Sequence, residues 1–258
     1  VTMHASPLLY QVKEQVARFT INREPQRNSL SPEVIALFLD YLNQAQADQN
    51  VRVILITGAG QKAFCSGADL GGSITDGGQR AFADYARLLK RLAGFPKPTV
   101  ARVNGYCLAG GMGFMLACDI VIAKDTAKFG TPEVNVGLFP MMIGALIYRN
   151  VPRKKATEMV LLGNKLDAQQ AVAMGLITRA VAPKELDEEV AAVVNALAAK
   201  SPIGMKIGKQ AFYAMADMPF EQAVDFLSGK LGEVAATEDA LEGITAFLEK
   251  RPPVFKGK

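Results

Sequence analysis

The segment from Val100 to Glu133 limits the possible folds of this chain more than any other stretch of its sequence. It starts with Val100–Val103, a short apolar run that is typical of a buried β-strand. Ala109-Gly110-Gly111 then opens a run with helical character, and the apolar run Ile120–Ala123 predicts a second buried strand. The pattern predicts a strand that leads through glycines into a helix, followed by another strand, which is typical of an α/β fold.

The glycines at the start of this helix indicate a place where a ligand can approach the backbone. The first N–H groups of a helix have no partner within it, and glycine lets another molecule come close to them. Such groups can stabilise an oxyanion without a charged side chain. Glu133, which follows the turn Gly130-Thr131-Pro132, can then move a proton on the carbon next to a polarised carbonyl. Taken alone, the same glycines are also explained by close packing.

The segment Lys62–Leu70 has two interpretations. It is either a short strand followed by a turn, or a second source of a backbone donor, the N–H group of Ala68 just past Gly67. The next segment, Gly71–Gly78, has the composition of a loop.

Composition excludes several classes of function. The chain has 258 residues, of which 50% are hydrophobic and 21% are charged, as in a globular protein. Its net charge of +4 comes from interspersed side chains, so no basic stripe for nucleic acid is visible. We find no apolar run long enough for a transmembrane helix and no signal peptide. We therefore expect a cytoplasmic protein with neither nucleic acid nor membrane as a partner.

Histidine and cysteine usage excludes further chemistries. Cys65, Cys107 and Cys118 lie in apolar surroundings and match no metal motif, which predicts reduced cysteines in the core. The single histidine, His4, argues against a Ser-His-Asp or Cys-His hydrolase and against histidine-ligated zinc. We expect no metal and no redox cofactor.

The remaining elements continue the α/β pattern. Leu8–Val12 and Val16–Ile21 predict a hairpin, and Ser31-Pro32 predicts the start of a helix. Strands and helices alternate over the first two-thirds of the chain, and the last third is mostly helical. We therefore divide the chain into a core domain, residues 1–200, and a C-terminal helical region, residues 201–258.

Many separate motifs, spread over essentially the whole chain, resemble those of one family. They are Ile21-Asn22-Arg23, Asn28-Ser29-Leu30, Ala63–Leu70, Asn104-Gly105-Tyr106, Ala109-Gly110-Gly111, Cys118-Asp119-Ile120, Phe129–Glu133, Gly163–Ala168, Ala173–Ile177 and Glu242–Arg251. In this order they resemble the crotonase superfamily, also called the enoyl-CoA hydratase/isomerase family.

The resemblance implies an α/β fold, a crotonase-like spiral of ββα turns whose C-terminal helical region forms a trimer or a dimer of trimers. It also implies an acyl-CoA thioester as the substrate, so that coenzyme A enters as part of the substrate and no separate cofactor is needed. At the matching positions, the N–H groups of Ala68 and Gly110 grip the thioester oxygen and stabilise an enolate. Glu133 is the matching catalytic acid.

Positions that hold coenzyme A are also implied by the resemblance. From the same subunit these are Arg23, Arg27, Ala63, Ser66 and Ala68. A neighbouring subunit is expected to contribute Phe247 and Lys250 from its C-terminal helix.

The departures from the family pattern narrow the chemistry. Typical hydratases of the family carry a second glutamate three residues after the second oxyanion donor, and here that position is Gly113. Dienoyl-CoA isomerases carry an acid eight residues beyond the remaining glutamate, and here that position is Met141. We assign Gly113, Met141 and Met142 to the acyl pocket, and the two methionines indicate that it is apolar.

Three hypotheses remain. The first is an enoyl-CoA isomerase of lipid metabolism, in which Glu133 alone shifts a double bond by proton transfer. The second is an enoyl-CoA hydratase or related lyase that acts through Glu133 alone on an unusual acyl group. The third is an acyl-CoA-binding protein with little catalysis, which the glycine at position 113 favours and the intact Glu133 opposes.

Overall fold

The computed structural model of this chain describes residues 6–68 and 78–258. Over these residues the strands are β1 (Leu8–Lys13), β2 (Val16–Ile21), β3 (Val53–Gly58), β4 (Ala63–Cys65), β5 (Thr99–Val103), β6 (Tyr106–Leu108), β7 (Ile120–Lys124), β8 (Lys128–Gly130), β9 (Leu166–Asp167) and β10 (Arg179–Val181). The α-helices are α1 (Pro32–Ala47), α2 (Gly78–Ala93), α3 (Gly110–Leu116), α4 (Met141–Asn150), α5 (Arg153–Leu162), α6 (Ala168–Ala173), α7 (Leu186–Ala198), α8 (Pro202–Met215), α9 (Phe220–Ala235) and α10 (Glu238–Leu248). Two 3₁₀ helices cover Glu24–Gln26 and Pro132–Val136. The loop predicted at Gly71–Gly78 lies outside the described residues as far as residue 77.

The strands form two sheets through which the chain passes repeatedly. The first sheet has the order β1-β2-β3-β5-β7-β10, and the second has the order β4-β6-β8-β9. All neighbouring pairs are parallel except β1–β2 and β8–β9, which are antiparallel. Three times in succession the chain adds one strand to the first sheet, one to the second, and then a helix. The predicted α/β spiral of ββα turns is therefore confirmed.

Both faces of the first sheet are covered, which explains its continuous apolar strands. Every residue of β3 and of β5 is buried. On one face the strands meet the main core, which includes α1, α2 and α3. On the other face α7 packs its apolar side chains against β3 and β5. Strands buried on two sides must be apolar at successive positions, and the alternation of a half-exposed strand is absent there.

Three of the four strands of the second sheet are not predicted by the sequence pattern, whereas β4 is the short strand that was one interpretation of Lys62–Leu70. β6 and β8 have three residues each and β9 has two, so none is long enough to show a periodicity. The hairpin, the helix that starts at Ser31-Pro32 and the buried strands are confirmed. Helix α4 buries Ile143 and Ile147 but leaves Tyr148 exposed.

The three C-terminal helices bury little within the chain. Ala211 is the buried residue of α8 and Ala223 that of α9, while α10 buries Asp239 and Ala246. These helices contact one another, and polar contacts such as the ion pair between Lys209 and Asp119 connect them to the core. The division at residue 200 and the role of this region in trimerisation stay predictions.

Two buried asparagines tie the loops between the two sheets. The side-chain amide of Asn104 donates to the carbonyls of Gly60 and Ala63, and its oxygen accepts from the Gly58 N–H. The amide of Asn28 donates to the same Ala63 carbonyl at 2.7 Å. Both side chains are fully buried. Their hydrogen bonds fix the segments that follow β3 and β5 relative to β4.

We expect Asn104→Ala to lower the free energy of unfolding by about 2–4 kcal/mol, because it leaves buried backbone groups without partners. Urea denaturation measures the change. Asn195→Ala, on the exposed side of α7, is the matched control and should stay within about 0.5 kcal/mol of wild type. Equal effects of the two substitutions would contradict the structural role of Asn104.

The three cysteines are confirmed as free and buried. Burial raises the pKa of the Cys65 thiol to about 12, so it is protonated and unreactive at neutral pH.

No single helix in the described ranges is long and apolar enough to cross a membrane. Only α7 and α8 taken together, as a bent pair, meet the criteria of length and composition. Localisation in the cytoplasm stays a prediction.

Candidate active site

A cavity of about 120 Å³ lies where α3 begins. Its lining residues come from α1, α2, α4, the start of α3, the second 3₁₀ helix and the loops next to them. They are Leu30, Pro32, Ile35, Ala68, Ala81, Phe82, Tyr85, Gly110, Glu133, Phe139, Pro140, Met141, Met142 and Ile143. The structure thus brings together five residues that the sequence analysis selected from four separate segments: Ala68, Gly110, Glu133, Met141 and Met142. Gly113, which was also assigned to the acyl pocket, is not among these described lining residues.

The backbones of Ala68 and Gly110 lie side by side at one end of the cavity. A Cβ placed on Gly110 would be 3.3 Å from the Ala68 nitrogen. Gly110 is the first residue of α3, so its N–H group has no partner within the helix. Leu30 pairs with this segment through the Gly67 carbonyl and leaves the Ala68 N–H out of that bond. Two backbone N–H groups therefore lie close together beside the cavity, as the expected pair of oxyanion donors requires.

Glu133 occupies the first turn of the second 3₁₀ helix and lines the same cavity. Its Oε2 atom is buried and has no hydrogen-bond partner among the described residues. Burial raises the pKa of the Glu133 carboxyl above its usual range, and a hydrogen bond to its own backbone opposes part of that rise. A partly desolvated carboxylate is a stronger base than one in water, as proton abstraction beside a carbonyl requires.

We expect Glu133→Gln to raise the free energy of unfolding at pH 8 relative to wild type, because it removes a buried charge whose Oε2 atom has no hydrogen-bond partner among the described residues. A carboxyl whose pKa is raised by folding destabilises the native state above that pKa and no longer does so below the unfolded value. The advantage of the glutamine variant should therefore shrink as the pH falls through the raised pKa of Glu133.

Urea denaturation of both proteins between pH 8 and pH 4 measures this difference. Glu158→Gln, at an exposed position of α5, is the control and should show no such pH dependence. A Glu133→Gln variant less stable than wild type at pH 8 would contradict the burial of an unpaired charge.

The structure explains why Gly113 cannot be replaced by a glutamate. A Cβ at position 113 would lie 2.2 Å from Cγ2 of Ile143 and 3.0 Å from the hydroxyl oxygen of Tyr85. Both side chains are buried, so neither has open space to move into. The place that a second acid would need is filled by an isoleucine and a tyrosine.

We expect Gly113→Ala to lower the free energy of unfolding by about 1–3 kcal/mol through overpacking against Ile143. The double variant Gly113→Ala/Ile143→Ala should lose less stability than the sum of the losses of the two single variants. We expect this coupling free energy to be at least about 0.5 kcal/mol. Gly144→Ala is the control, because a Cβ at that helical glycine has no neighbour within 4 Å. It should be neutral or stabilising. Strict additivity would show that Ile143 is not the obstacle.

The rest of the cavity is apolar, as Met141 and Met142 predicted. Met141 is 73% exposed at the rim, with Phe82 and Phe139 also exposed there, whereas Met142 is partly buried. Glu133 and Tyr85 provide the polar side-chain groups of the described lining residues. Sequence reasoning missed Tyr85, since an aromatic residue on an amphipathic helix gives no sign of lining a site.

The residues implied to bind coenzyme A differ in their exposure to solvent. Arg27 is exposed, and Ser66 lies close to it, donating its N–H to the Arg27 carbonyl. One guanidinium nitrogen of Arg23 donates to the Ser29 carbonyl at 2.7 Å. Ala63 is buried and its carbonyl accepts two asparagine amides, so its side chain does not reach the surface.

Phe247 and Lys250 lie at the C-terminal end of α10 and are not among the residues that line the cavity in the described part of the chain. Phe247 is exposed, and Lys250 adopts a left-handed backbone conformation just after the helix. Their predicted contact with the site of a neighbouring subunit stays a prediction.

In this spiral of ββα turns, Glu133 lines the same cavity as Ala68 and Gly110, whose backbones lie side by side. The sequence profile of the enoyl-CoA hydratase/isomerase family matches residues 11–258. This chain therefore belongs to that family of enzymes, the crotonase superfamily.

Individual relatives agree over nearly their whole length. A putative enoyl-CoA hydratase of Thermus thermophilus is 36% identical, covering 94% of this chain and 98% of its own. The 2,3-dehydroadipyl-CoA hydratase of Escherichia coli is 35% identical, covering 98% of this chain and 100% of its own. The crystal structure of an enoyl-CoA hydratase from Mycobacterium smegmatis superposes with a TM-score of 0.93 at 33% identity, covering 96% of this chain and 98% of that one.

Proposed function

We propose that this protein is an enoyl-CoA isomerase that moves a double bond by proton transfer through Glu133. The observation that carries the proposal is that Glu133 is the single carboxylate among the described residues that line the cavity, together with Ala68 and Gly110, whose backbones lie side by side. A proton shift between two carbons needs one group that accepts a proton and returns it. The filled space around Gly113 supports this chemistry, because it leaves no room for a second acid.

The reaction follows from these groups. The thioester oxygen of a 3-enoyl-CoA accepts hydrogen bonds from the N–H groups of Ala68 and Gly110, which acidifies the α-carbon. Glu133 takes the α-proton, and the electron pair moves into a dienolate whose charge rests on the thioester oxygen. The protonated Glu133 then returns the proton to the γ-carbon, giving the 2-enoyl-CoA and restoring the carboxylate. No metal and no further cofactor takes part.

We assign the coenzyme A moiety to the surface formed by Arg23, Arg27 and Ser66. Ser66 lies two residues before Ala68 in the sequence. Exposed Arg27 supports this assignment, since a guanidinium group pairs well with phosphate. Buried Ala63 would act through the backbone around it.

The lining of the cavity favours an uncharged acyl group. Neither lysine, arginine nor histidine occurs among its described lining residues, so a second carboxylate on the substrate would be buried without a partner. This expectation separates the chain from its relative named for 2,3-dehydroadipyl-CoA.

Hydration through Glu133 alone is the second candidate function. The observation that favours it is the naming of the relatives, several of which are called enoyl-CoA hydratases. Water addition asks more of the site, because the water must be held as well as deprotonated.

We also infer a homotrimer or a dimer of trimers. Large apolar side chains are exposed on the C-terminal helices, more than an isolated chain normally leaves in contact with water. They are Phe212, Tyr213, Phe220, Val224, Leu231, Leu241, Ile244, Phe247 and Leu248.

The proposal is tested by NMR in D2O with a straight-chain 3-enoyl-CoA, using wild type and Glu133→Gln. We expect migration of the double bond and deuterium incorporation with wild type, and a loss of at least about a hundredfold in the variant, because the base is gone. A 3-enoyl-CoA of similar length that ends in a free carboxylate should react much more slowly, because that carboxylate would find no cationic side chain among the described lining residues.

Two results would contradict the isomerase. An unchanged 3-enoyl-CoA, together with a 3-hydroxy product from a 2-enoyl-CoA, would identify a hydratase. Tight binding of acyl-CoA without turnover or deuterium exchange would identify a binding protein.

A further inference from the structure

A groove of about 780 Å³ lies along α2 and α4, next to the candidate active site. Helix α3 packs against both of these helices, and Leu116 and Ala117 at its end form part of the groove. Tyr213 of α8 also lines it. This groove is more than six times as large as the cavity that holds Glu133.

Met142 is the side chain that the groove and the catalytic cavity share. It lines both of them and is partly buried. On α2, Tyr85 lines the cavity and the next residue, Ala86, lines the groove. On α4, Ile143 lines the cavity and Leu146, about one turn later, lines the groove. The groove therefore begins where the cavity ends, with Met142 between them.

The catalytic cavity is too small for a long acyl chain. Its volume of about 120 Å³ is less than the roughly 150 Å³ of an apolar cavity that binds one benzene ring. The carbonyl carbon and the α-, β- and γ-carbons of an enoyl thioester use most of that space. By the same comparison, a chain of more than about six carbons has to continue outside the cavity.

The groove offers such a chain an apolar lining. Leu89 and Leu116 are buried in its wall, and Leu146 is partly buried there. From Met142 to Arg149 the groove follows α4 for two turns, roughly 10 Å, which is enough for several methylene groups. Each methylene group that leaves water strengthens binding by up to about fourfold when its burial is complete.

The charged side chains of the groove do not oppose an apolar chain. Arg149 forms an ion pair with Asp217 at 3.6 Å, and Asp119 forms one with Lys209 at 2.6 Å. Lys90 is exposed and keeps its contact with water. An alkyl chain in the groove therefore need not bury an unpaired charge.

We propose that Met142 is a gate through which the acyl chain passes from the catalytic cavity into this groove, so that the substrates are straight, uncharged acyl-CoA thioesters of more than about six carbons. This inference rests on the proposed acyl-CoA substrate, but not on which reaction follows. Methionine suits a gate, because its unbranched side chain has three rotatable bonds and can move aside.

The test compares two saturated acyl-CoAs, which bind without reacting, by isothermal titration calorimetry with the intact protein. We expect dodecanoyl-CoA to bind wild type about thirtyfold to a hundredfold more tightly than hexanoyl-CoA, close to twofold for each added methylene group. The gain per group is below the full value because a groove open to water buries only part of each group.

Three variants locate this preference for the longer chain. Ala145→Trp fills the groove from an exposed position of α4 and should reduce the preference to about fivefold or less. Ala83→Trp, exposed on α2 and outside both described linings, is the matched control and should keep the preference within about twofold of wild type. Met142→Ala should raise the preference about threefold, because the chain no longer has to displace a side chain.

Other outcomes overturn the inference. Equal binding of the two acyl-CoAs, or an Ala145→Trp variant that keeps the preference, would show that the chain does not enter the groove. If Ala145→Trp instead changes only the oligomeric state in size-exclusion chromatography, the groove is an interface between copies of this chain. An unchanged or lower preference in Met142→Ala would refute the gate.

The proposed function fails separately from this inference. Wild type that binds both acyl-CoAs but does not isomerise 3-hexenoyl-CoA in D2O would refute the isomerase and leave the binding preference to decide the groove. Absence of binding of either acyl-CoA would refute the acyl-CoA substrate, and the groove as its subsite with it.

Discussion

The close approach of two backbone segments, around Gly67 and around Ala109, is the constraint on which the candidate site depends. A Cβ on Gly67 would lie 2.8 Å from the Cβ of Ala109, and Gly67 has a φ of +108°, which a residue with a side chain rarely adopts. Only a glycine here lets the Ala68 N–H lie next to the first N–H of α3. Ala109 accepts a positive φ of its own to begin the helix at that point, a local strain of the kind that gathers at functional sites.

The spiral supplies the rigidity that such an approach requires. Each turn adds one strand to the first sheet and one to the second sheet. The segments that carry Ala68, Gly110 and Glu133 therefore follow neighbouring strands of the second sheet. Its strands are too short to be stable alone, and buried asparagine amides, those of Asn28 and Asn104, bind the connecting loops instead. The site thus rests on side-chain hydrogen bonds as much as on sheet pairing.

The space at position 113 limits where the cavity can hold an acid. Ile143 and Tyr85 occupy the place that a side chain at this position would need. Glu133 is the carboxylate among the described lining residues, and burial raises the pKa of its carboxyl. The proposed proton transfer therefore depends on this side chain.

The sequence by itself determined the family and the α/β class. It also selected Ala68, Gly110 and Glu133, which the structure brings to one cavity, because each lies in a local motif with its own backbone requirement. It also determined that Gly113 carries no acid. Tertiary structure alone decided that Ile143 and Tyr85 occupy the space at Gly113, that Ala63 is buried, and that strands of two or three residues form a second sheet. These facts depend on contacts between segments far apart in the chain, and neither periodicity nor a local motif records which side chains meet when two helices pack.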